Sequence, residues 1–343
     1  MRLLIERLLK EVDAYSLFYF NCDFISDADG LRRLLDWYLD FRKAHRIASS
    51  YMFLDEVSNI PEWWRVIKGY VDLGVFKDDV LVLSGSSSWR LKDSMELFPG
   101  RRGLGRDVAV MPLSFREFLE AHGVKIELSG DWENDMKRLM VSEEIEQLFN
   151  KYVLTGGFPL SINEDPEAEE AFMKGLEGEI LRLNRRIEVA KAIISSILEK
   201  APSPLSYSTI GKAVGVSYKT VEDYLDVLRN IYILDLAYYK RGRSIVWRKE
   251  KKIFFIDPFI ARTLSYWSGS NYLESAFYEW IVQSHLWRRY GNKIYYYRNT
   301  YEIDCIADDL FIEVKIGKPH RKYPRNVYII DDEQLPYFLA AIV

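Results

Sequence analysis

The stretch Ser49-Ser-Tyr-Met-Phe-Leu-Asp-Glu56 decides how this sequence is read. Four apolar or aromatic residues, Tyr51 to Leu54, end abruptly in two carboxylates, Asp55 and Glu56. A short apolar run bounded by polar residues suits a buried strand of a parallel sheet. Acids where such a strand ends lie at the sheet's carboxyl edge, where α/β ligands bind. An Asp there can hold Mg²⁺ on a nucleotide, and a Glu can orient an attacking water. The plainer alternative is a buried strand followed by a helix-capping acid.

The surroundings repeat the pattern. Leu17 to Cys22 reads as a strand and Leu31 to Phe41 as a helix with Leu34, Leu35, Tyr38 and Leu39 on its apolar side. After the Tyr51 strand come a helix over Trp63 to Leu73 and the apolar run Val80-Leu-Val-Leu83, which ends in Ser84-Gly-Ser-Ser-Ser88. Strands alternating with helices predict a parallel doubly wound sheet.

Five motifs then occur in order: F-L-D-E-V at 53–57, I-P-E-W-W at 60–64, L-S-G-S-S-S at 83–88, P-G-R-R-G at 99–103 and P-L-S-F-R-E-F-L at 112–119. In this order the chain resembles the AAA+ P-loop ATPases of archaea and bacteria that carry a C-terminal nuclease-like domain. The resemblance implies that Asp55 and Glu56 are the Walker B pair, with Asp55 toward ATP-bound Mg²⁺ and Glu56 catalytic. It implies that Ser84 or Ser86 is the polar sensor beside them. It makes Arg101 or Arg102 the candidate arginine finger, and hence implies homo-oligomers. It also implies that Met1-Arg-Leu-Leu4 belongs to the helix that follows a phosphate-binding loop.

That loop itself, G-x-x-x-x-G-K-[S/T], occurs nowhere in the 343 residues; Gly211-Lys212-Ala213 lacks both the leading Gly and the hydroxyl. In the AAA+ fold the strand leading into the loop lies centrally, beside the sensor strand, so two buried strands would lose a partner without it. Three explanations stand open: a start upstream of Met1, a truncated relic, or a paralogue that binds no nucleotide. Poor ATP binding by this chain is expected in each case.

The expected organisation is α/β throughout. A partial AAA+ core spans 1–125, a helical region 126–202, a winged helix 203–265 and a restriction-endonuclease-like α/β domain 266–343. Ser114, with Glu117 in capping-box position, starts a helix at Phe115. Glu143 to Leu154 and Glu167 to Lys200 read as mostly helical, interrupted near Gly156-Gly-Phe-Pro159. Ala201-Pro-Ser-Pro204 marks a boundary. Tyr207 to Val214, Gly215-Val-Ser217 and Tyr218 to Asn230 have helix-turn-helix patterning. Strands over Tyr232 to Lys240 and Ile245 to Ile256 flank Arg241-Gly-Arg243. Seven bases between Lys240 and Lys252 face one acid, Glu250. Lys240, Arg241, Arg243, Arg248 and Lys249 are therefore candidate DNA-phosphate contacts. A packing module with a solvated charged wing is the alternative.

Near the C-terminus, Tyr301 to Ala307 and Leu310 to Ile316 are β-patterned around Asp308-Asp309. With those two residues as the turn, Asp304 stands opposite Glu313, and Lys315 shares its face. Opposed carboxylates repel, and a bound Mg²⁺ would relieve that. This D-x8-E-V-K arrangement resembles the PD-(D/E)xK nuclease core. The resemblance implies Asp304 and Glu313 as metal ligands, Lys315 as the catalytic lysine, and Glu279 as the helix glutamate, with Glu274 second. A purely structural strand pair, with Lys315 bridged to Glu302, is the alternative.

Composition bounds the rest. At 48% hydrophobic, 29% charged and 15% aromatic the chain is globular, and its net charge of −4 argues against a histone-like binder. Residues 203–343 are net basic, with 20 Lys and Arg against 16 Asp and Glu, so nucleic acid is sought there. Cys22 and Cys305 are the only cysteines, which excludes a disulfide framework and a zinc cluster. His45, His122, His285 and His320 are scattered and read as surface or packing residues. No apolar run has membrane-span length, and a cytoplasmic location is expected.

Overall fold

The computed structural model describes residues 1–85, 105–291, 293–317 and 322–342. The chain divides into two compact units, Met1–Ala109 and Val110–Val343.

The first unit is a three-stranded parallel sheet, β1 (Leu17–Asn21), β2 (Tyr51–Asp55) and β3 (Val80–Leu83), in that spatial order. Helices α1 (Arg2–Leu8), α2 (Ala28–Ala44) and α3 (Trp63–Asp72) alternate with the strands. β2 is central, so Met52, Phe53 and Leu54 are fully buried. That is why its sequence is a continuous apolar run rather than an alternating one. Leu31, Leu35 and Tyr38 of α2 and Trp63 and Ile67 of α3 close the core. Arg42 reaches across to Asp79 at 2.6 Å, and the same carboxylate accepts the Ser50 N–H at 2.8 Å, tying the start of β2 to that of β3. β3 forms one edge of the sheet, and Leu81, Val82 and Leu83 are only partly covered.

The second unit holds helices α4 (Phe115–Ala121), α5 (Trp132–Leu139), α6 (Glu143–Thr155), α7 (Pro159–Ile162), α8 (Ala168–Arg182), α9 (Ile187–Lys200), α10 (Tyr207–Val214), α11 (Tyr218–Asn230), α12 (Pro258–Ser268), α13 (Glu274–Tyr290) and α14 (Leu335–Ile342). Its strands are β4 (Leu234–Arg241), β5 (Ser244–Ile245), β6 (Lys251–Phe255), β7 (Tyr295–Arg298), β8 (Glu302–Ala307), β9 (Leu310–Val314) and β10 (Tyr328–Ile330). They make one mixed sheet in the order β10-β9-β8-β7-β4-β5, with β6 also paired to β4. β4 and β7 run parallel, with Tyr238 beside Tyr295 and Tyr239 beside Tyr296. The boundaries read from sequence at 125/126, 202/203 and 265/266 all fall inside this unit, and the last is bridged by the sheet. The long strand read from Ile245 to Ile256 is interrupted: β5 ends at Ile245 and β6 begins at Lys251.

The P-L-S-F motif is a docking strap. Ser114 and Glu117 form a capping box, with the Ser114 N–H donated to Glu117 at 2.7 Å. The Leu113 N–H donates to the Gly157 carbonyl at 2.8 Å. A Cβ on Gly157 would lie 2.1 Å from the Leu113 carbonyl oxygen, so only glycine permits this approach. The Phe115 N–H donates to Nε2 of His285 at 2.9 Å, and Nδ1 of His285 lies 2.7 Å from the Ile281 carbonyl. One nitrogen accepts and the other donates, so the ring is neutral. Arg288 completes the junction by donating to the Pro112 and Ile256 carbonyls.

Burial, aided by Arg288, lowers the His285 pKa from 6.5 to about 3. The unfolded chain takes up this proton below pH 6.5, whereas the folded chain refuses it. The stability contributed by His285 is therefore complete above pH 6.5 and is lost as pH falls toward 3. Urea unfolding between pH 8 and pH 4 should show this loss. His285→Gln, which has no titrating ring, should be less stable at pH 8 and flatter across the same range.

Candidate functional site

Two clusters carry the chemistry, one in each unit. In the first, β2 ends in Asp55 directly beside the end of β3. The Ser84 hydroxyl donates to Oδ1 of Asp55, and the Tyr19 hydroxyl donates to Oδ2 at 3.0 Å. Ser84 is held there by its own backbone, which donates to Leu54 at 3.0 Å and accepts from Val57 at 2.9 Å. Glu56 follows in the left-handed region, at φ 55°, uncommon for a non-glycine residue. Its N–H points to the Ser84 oxygen at 3.4 Å. Asp55, Glu56 and Ser84 thus share the carboxyl edge of a parallel sheet. Ser86, Arg101 and Arg102 lie outside the described residues.

Two partners were not read from sequence. Tyr19 is the middle residue of β1; its hydroxyl titrates higher than usual because Asp55 accepts its proton and burial adds to the shift. Cys22 is fully buried beside the pair, and burial, then Asp55, Asp23 and Glu56, push its thiol up to about 12. It is therefore a packing residue, not a nucleophile. Both Asp55 oxygens accept from hydroxyls, and the 343 residues hold no phosphate-loop motif to cradle ATP beside the pair.

The second cluster lies where α13 packs on β6 and β8. Cys305 pairs with Ile312, Ile306 with Phe311 and Ala307 with Leu310, so the hairpin turns at Asp308-Asp309, with Asp308 at φ 50°. Continued by one residue, this register sets Asp304 against Glu313, and Asp304 Oδ2 accepts the Val314 N–H at 2.9 Å. Glu279 on α13 joins them. Its carboxylate accepts from Gln283 at 2.9 Å.

The centre of the cluster is Lys252 of β6. Its Nζ lies 2.7 Å from Asp304, 2.9 Å from Glu302 and 3.0 Å from Glu279. The residue is 2% exposed. Burial opposes its charge, but the three carboxylates prevail and hold its pKa well above the ordinary value. Asp304 is held below its ordinary range: burial works against ionisation, and Lys252 outweighs it. Glu279 is raised, by burial first and Asp304 second. Lys315 bonds to Glu313, as does the Tyr323 hydroxyl at 2.9 Å. Burial and Asp304 raise Glu313 to about 7. The bridge from Lys315 to Glu302 is thus absent, because Glu302 is engaged by Lys252 and Lys315 by Glu313. Glu274 starts α13 and does not join the Lys252 pairs.

Lys252 was counted as one base of a wing. A signal was present: Lys251 and Lys252 are adjacent on a strand, so their side chains leave opposite faces, and one must enter the protein. Among the described residues, no group of three or more His, Cys, Asp or Glu side chains is disposed to hold a metal ion.

The candidate phosphate contacts gather on the β4–β5 hairpin and the segment after it. Lys240 pairs with Ile245 and Arg241 with Ser244, with Gly242 at φ 58° in the turn. Arg241, Arg243, Arg248 and Lys249 are exposed, and Lys240 partly so. Trp247 is 60% exposed, packed edge-on to Tyr238 at 4.8 Å. The outer face of α11 is different. Asp223 is held by Arg185 through two bonds of 2.7 Å, and Arg229 pairs with Asp226 and Asp235.

Replacing Lys252 with Met leaves Asp304 and Glu279 crowded without that cation, while Glu302 keeps Arg298 at 3.8 Å. Loss of one partner of a buried ion pair costs about 3–5 kcal/mol. Urea denaturation at neutral pH should show a loss of that size for Lys252→Met, and a much smaller one for the exposed Lys249→Met.

Comparison with known proteins adds the following. Residues 1–119 match the family model of an AAA domain, and residues 146–271 match a domain of unknown function. An uncharacterised protein of Haemophilus influenzae is 26% identical over 292 residues, covering 80% of this chain and 67% of the relative. An uncharacterised protein of Methanocaldococcus jannaschii is 23% identical over 276 residues, covering 74% of this chain and 58% of the relative. The chain thus spans little more than half the length of the second relative. The crystal structure of Cdc6p from Pyrobaculum aerophilum aligns over 78% of this chain and 83% of that one, at 14% identity and a TM-score of 0.30, too low to establish a shared fold. No helix among the described residues is long and apolar enough to cross a membrane. Residues 1–119, from α1 through the three-stranded parallel sheet to the body of α4, are therefore similar to an AAA domain.

Proposed function

We propose that this chain is an AAA+-type ATPase-family protein whose second unit associates with DNA, and that its own ATP binding is weak. The observation that carries the reading is the bond between Asp55 and Ser84. It joins the acid at the end of the central strand to a hydroxyl at the end of its neighbour, with Glu56 next in line. This is the disposition expected of a Walker B pair beside a polar sensor. Asp55 would hold Mg²⁺ through water, and Glu56 would orient the attacking water of a bound nucleotide.

Weak ATP binding follows from the missing phosphate loop, because backbone N–H groups and a lysine ordinarily supply most of the grip on the phosphates. Titration with a fluorescent ATP analogue should give a Kd weaker than about 1 mM, worth no more than ~4 kcal/mol. Micromolar binding, or ATP hydrolysis abolished by Glu56→Gln, would overturn this expectation.

DNA association rests on the basic hairpin. α10 and α11, with Ser217 capping the second helix and Gly215 at the turn, fit a helix-turn-helix, and β4 to β6 fit its wing. Asp223 and Asp226 on α11 are tied to Arg185 and Arg229 and disfavour that helix as the phosphate-contacting surface, so the wing is the surface assigned to phosphate. Fluorescence anisotropy with duplex DNA across a salt series tests this. Each phosphate contact contributes a slope of about −0.9 in log K against log salt. The triple variant Arg241→Ala, Arg243→Ala, Lys249→Ala should bind at least about tenfold more weakly, with a slope shallower by up to ~3. Unchanged affinity would remove the hairpin from the interface, and an absence of binding by the wild type would sink the DNA reading.

A metal-dependent nuclease is the second reading, favoured by Asp304 standing against Glu313 with Lys315 on the same strand end. Cleavage of DNA in Mg²⁺ or Mn²⁺ that disappears in Asp304→Ala would support it, and would require a divalent cation to take Asp304 from Lys252.

A further inference from the structure

The carboxylates around β8 and α13 have the composition of a divalent-cation site, yet a nitrogen stands at their centre. We infer that Lys252 is a built-in cation that takes the place of a divalent metal, and that the chain as folded binds neither Mg²⁺ nor Mn²⁺ there.

The stoichiometry of donors and acceptors carries the inference. An ammonium has three N–H donors, and three carboxylate oxygens surround this one, from Asp304 at 2.7 Å, Glu302 at 2.9 Å and Glu279 at 3.0 Å. These are charge-assisted hydrogen-bond lengths, and they use every donor. A hard divalent cation would need the same oxygens converging at about 2.0–2.6 Å on the point the nitrogen holds. The remaining oxygen of Asp304 is also committed, to the Val314 N–H at 2.9 Å. Glu313 Oε1 serves Lys315 and Tyr323; its Oε2 makes no hydrogen bond among the described residues, and one free oxygen is not a metal site.

Lys252 is also not a side chain that a metal could easily push aside. Its backbone is fixed in β6, opposite Ala237 of β4, and its ammonium is buried with no solvent to receive it. Displacing it would strand a charged group inside the protein. Removing the cation should do the reverse: with the ammonium gone, Glu279, Glu302 and Asp304 are left as oxygen ligands around its former place, with Glu313 nearby on β9.

Mn²⁺ is the probe, its free concentration followed by electron paramagnetic resonance in the full chain. The wild type should show no saturable binding below about 1 mM, the weak end of oxygen-ligand sites, that Asp304→Asn removes. Lys252→Met should bind Mn²⁺ at least tenfold more tightly than the wild type, and Lys252→Met with Asp304→Asn should lose that gain. Mn²⁺ should raise the melting temperature of Lys252→Met and leave the wild type unmoved. If Lys252→Met folds only when refolded with Mn²⁺, that also supports the inference. Saturable wild-type binding below 1 mM that Asp304→Asn abolishes overturns it, as does a folded Lys252→Met with no gain in Mn²⁺ affinity. Should Lys252→Met fold under neither condition, the wild-type titration with its Asp304→Asn control decides alone.

Discussion

One buried ammonium organises the C-terminal half of the second unit. Lys252 draws together a helix, α13, and two strands, β6 and β8, that are far apart in sequence. Carboxylates at this depth repel one another, and each resists burial in ionised form. Without a cation at their centre, bringing Asp304, Glu302 and Glu279 together would cost the fold stability. The same ion pairs make one body of what sequence motifs divide in two, because Lys252 comes from β6, read from sequence as part of a wing, and its partners from α13 and β8, read from sequence as nuclease-like. The sheet repeats this union through the parallel pairing of β4 with β7.

The local elements were largely legible. Tyr51 to Leu54 is buried because β2 is central, and Ser114 with Glu117 makes the capping box that its spacing announced. The hairpin register around Asp308-Asp309 was also readable, since a two-residue turn leaves one pairing. Three-dimensional partnerships were not. That Lys252 would point inward, that Tyr19 would reach Asp55, and that His285 would accept from Phe115 each depend on segments tens to hundreds of residues apart. Pattern reading orders side chains along an element. It does not say which element will face them.

The Asp55 pair shows the opposite relation between sequence and geometry. Its place at the sheet edge follows from a strand that ends where two acids begin. Ser84 arrives by the same logic, one strand over. What remains open there is the phosphate grip, which lies in residue types rather than in packing: a loop of glycines and a lysine that the 343 residues do not contain.

The neighbours Lys251 and Lys252 also part company in reactivity. Lys251 lies over the Tyr207 ring at 4.7 Å, and partial burial lowers its pKa. It gives up its proton more readily than an ordinary lysine. Lys252 is sealed and held charged. An amine-directed acylating reagent would therefore mark the first lysine and pass over the second, so that two residues of identical chemistry, joined by one peptide bond, behave as different functional groups.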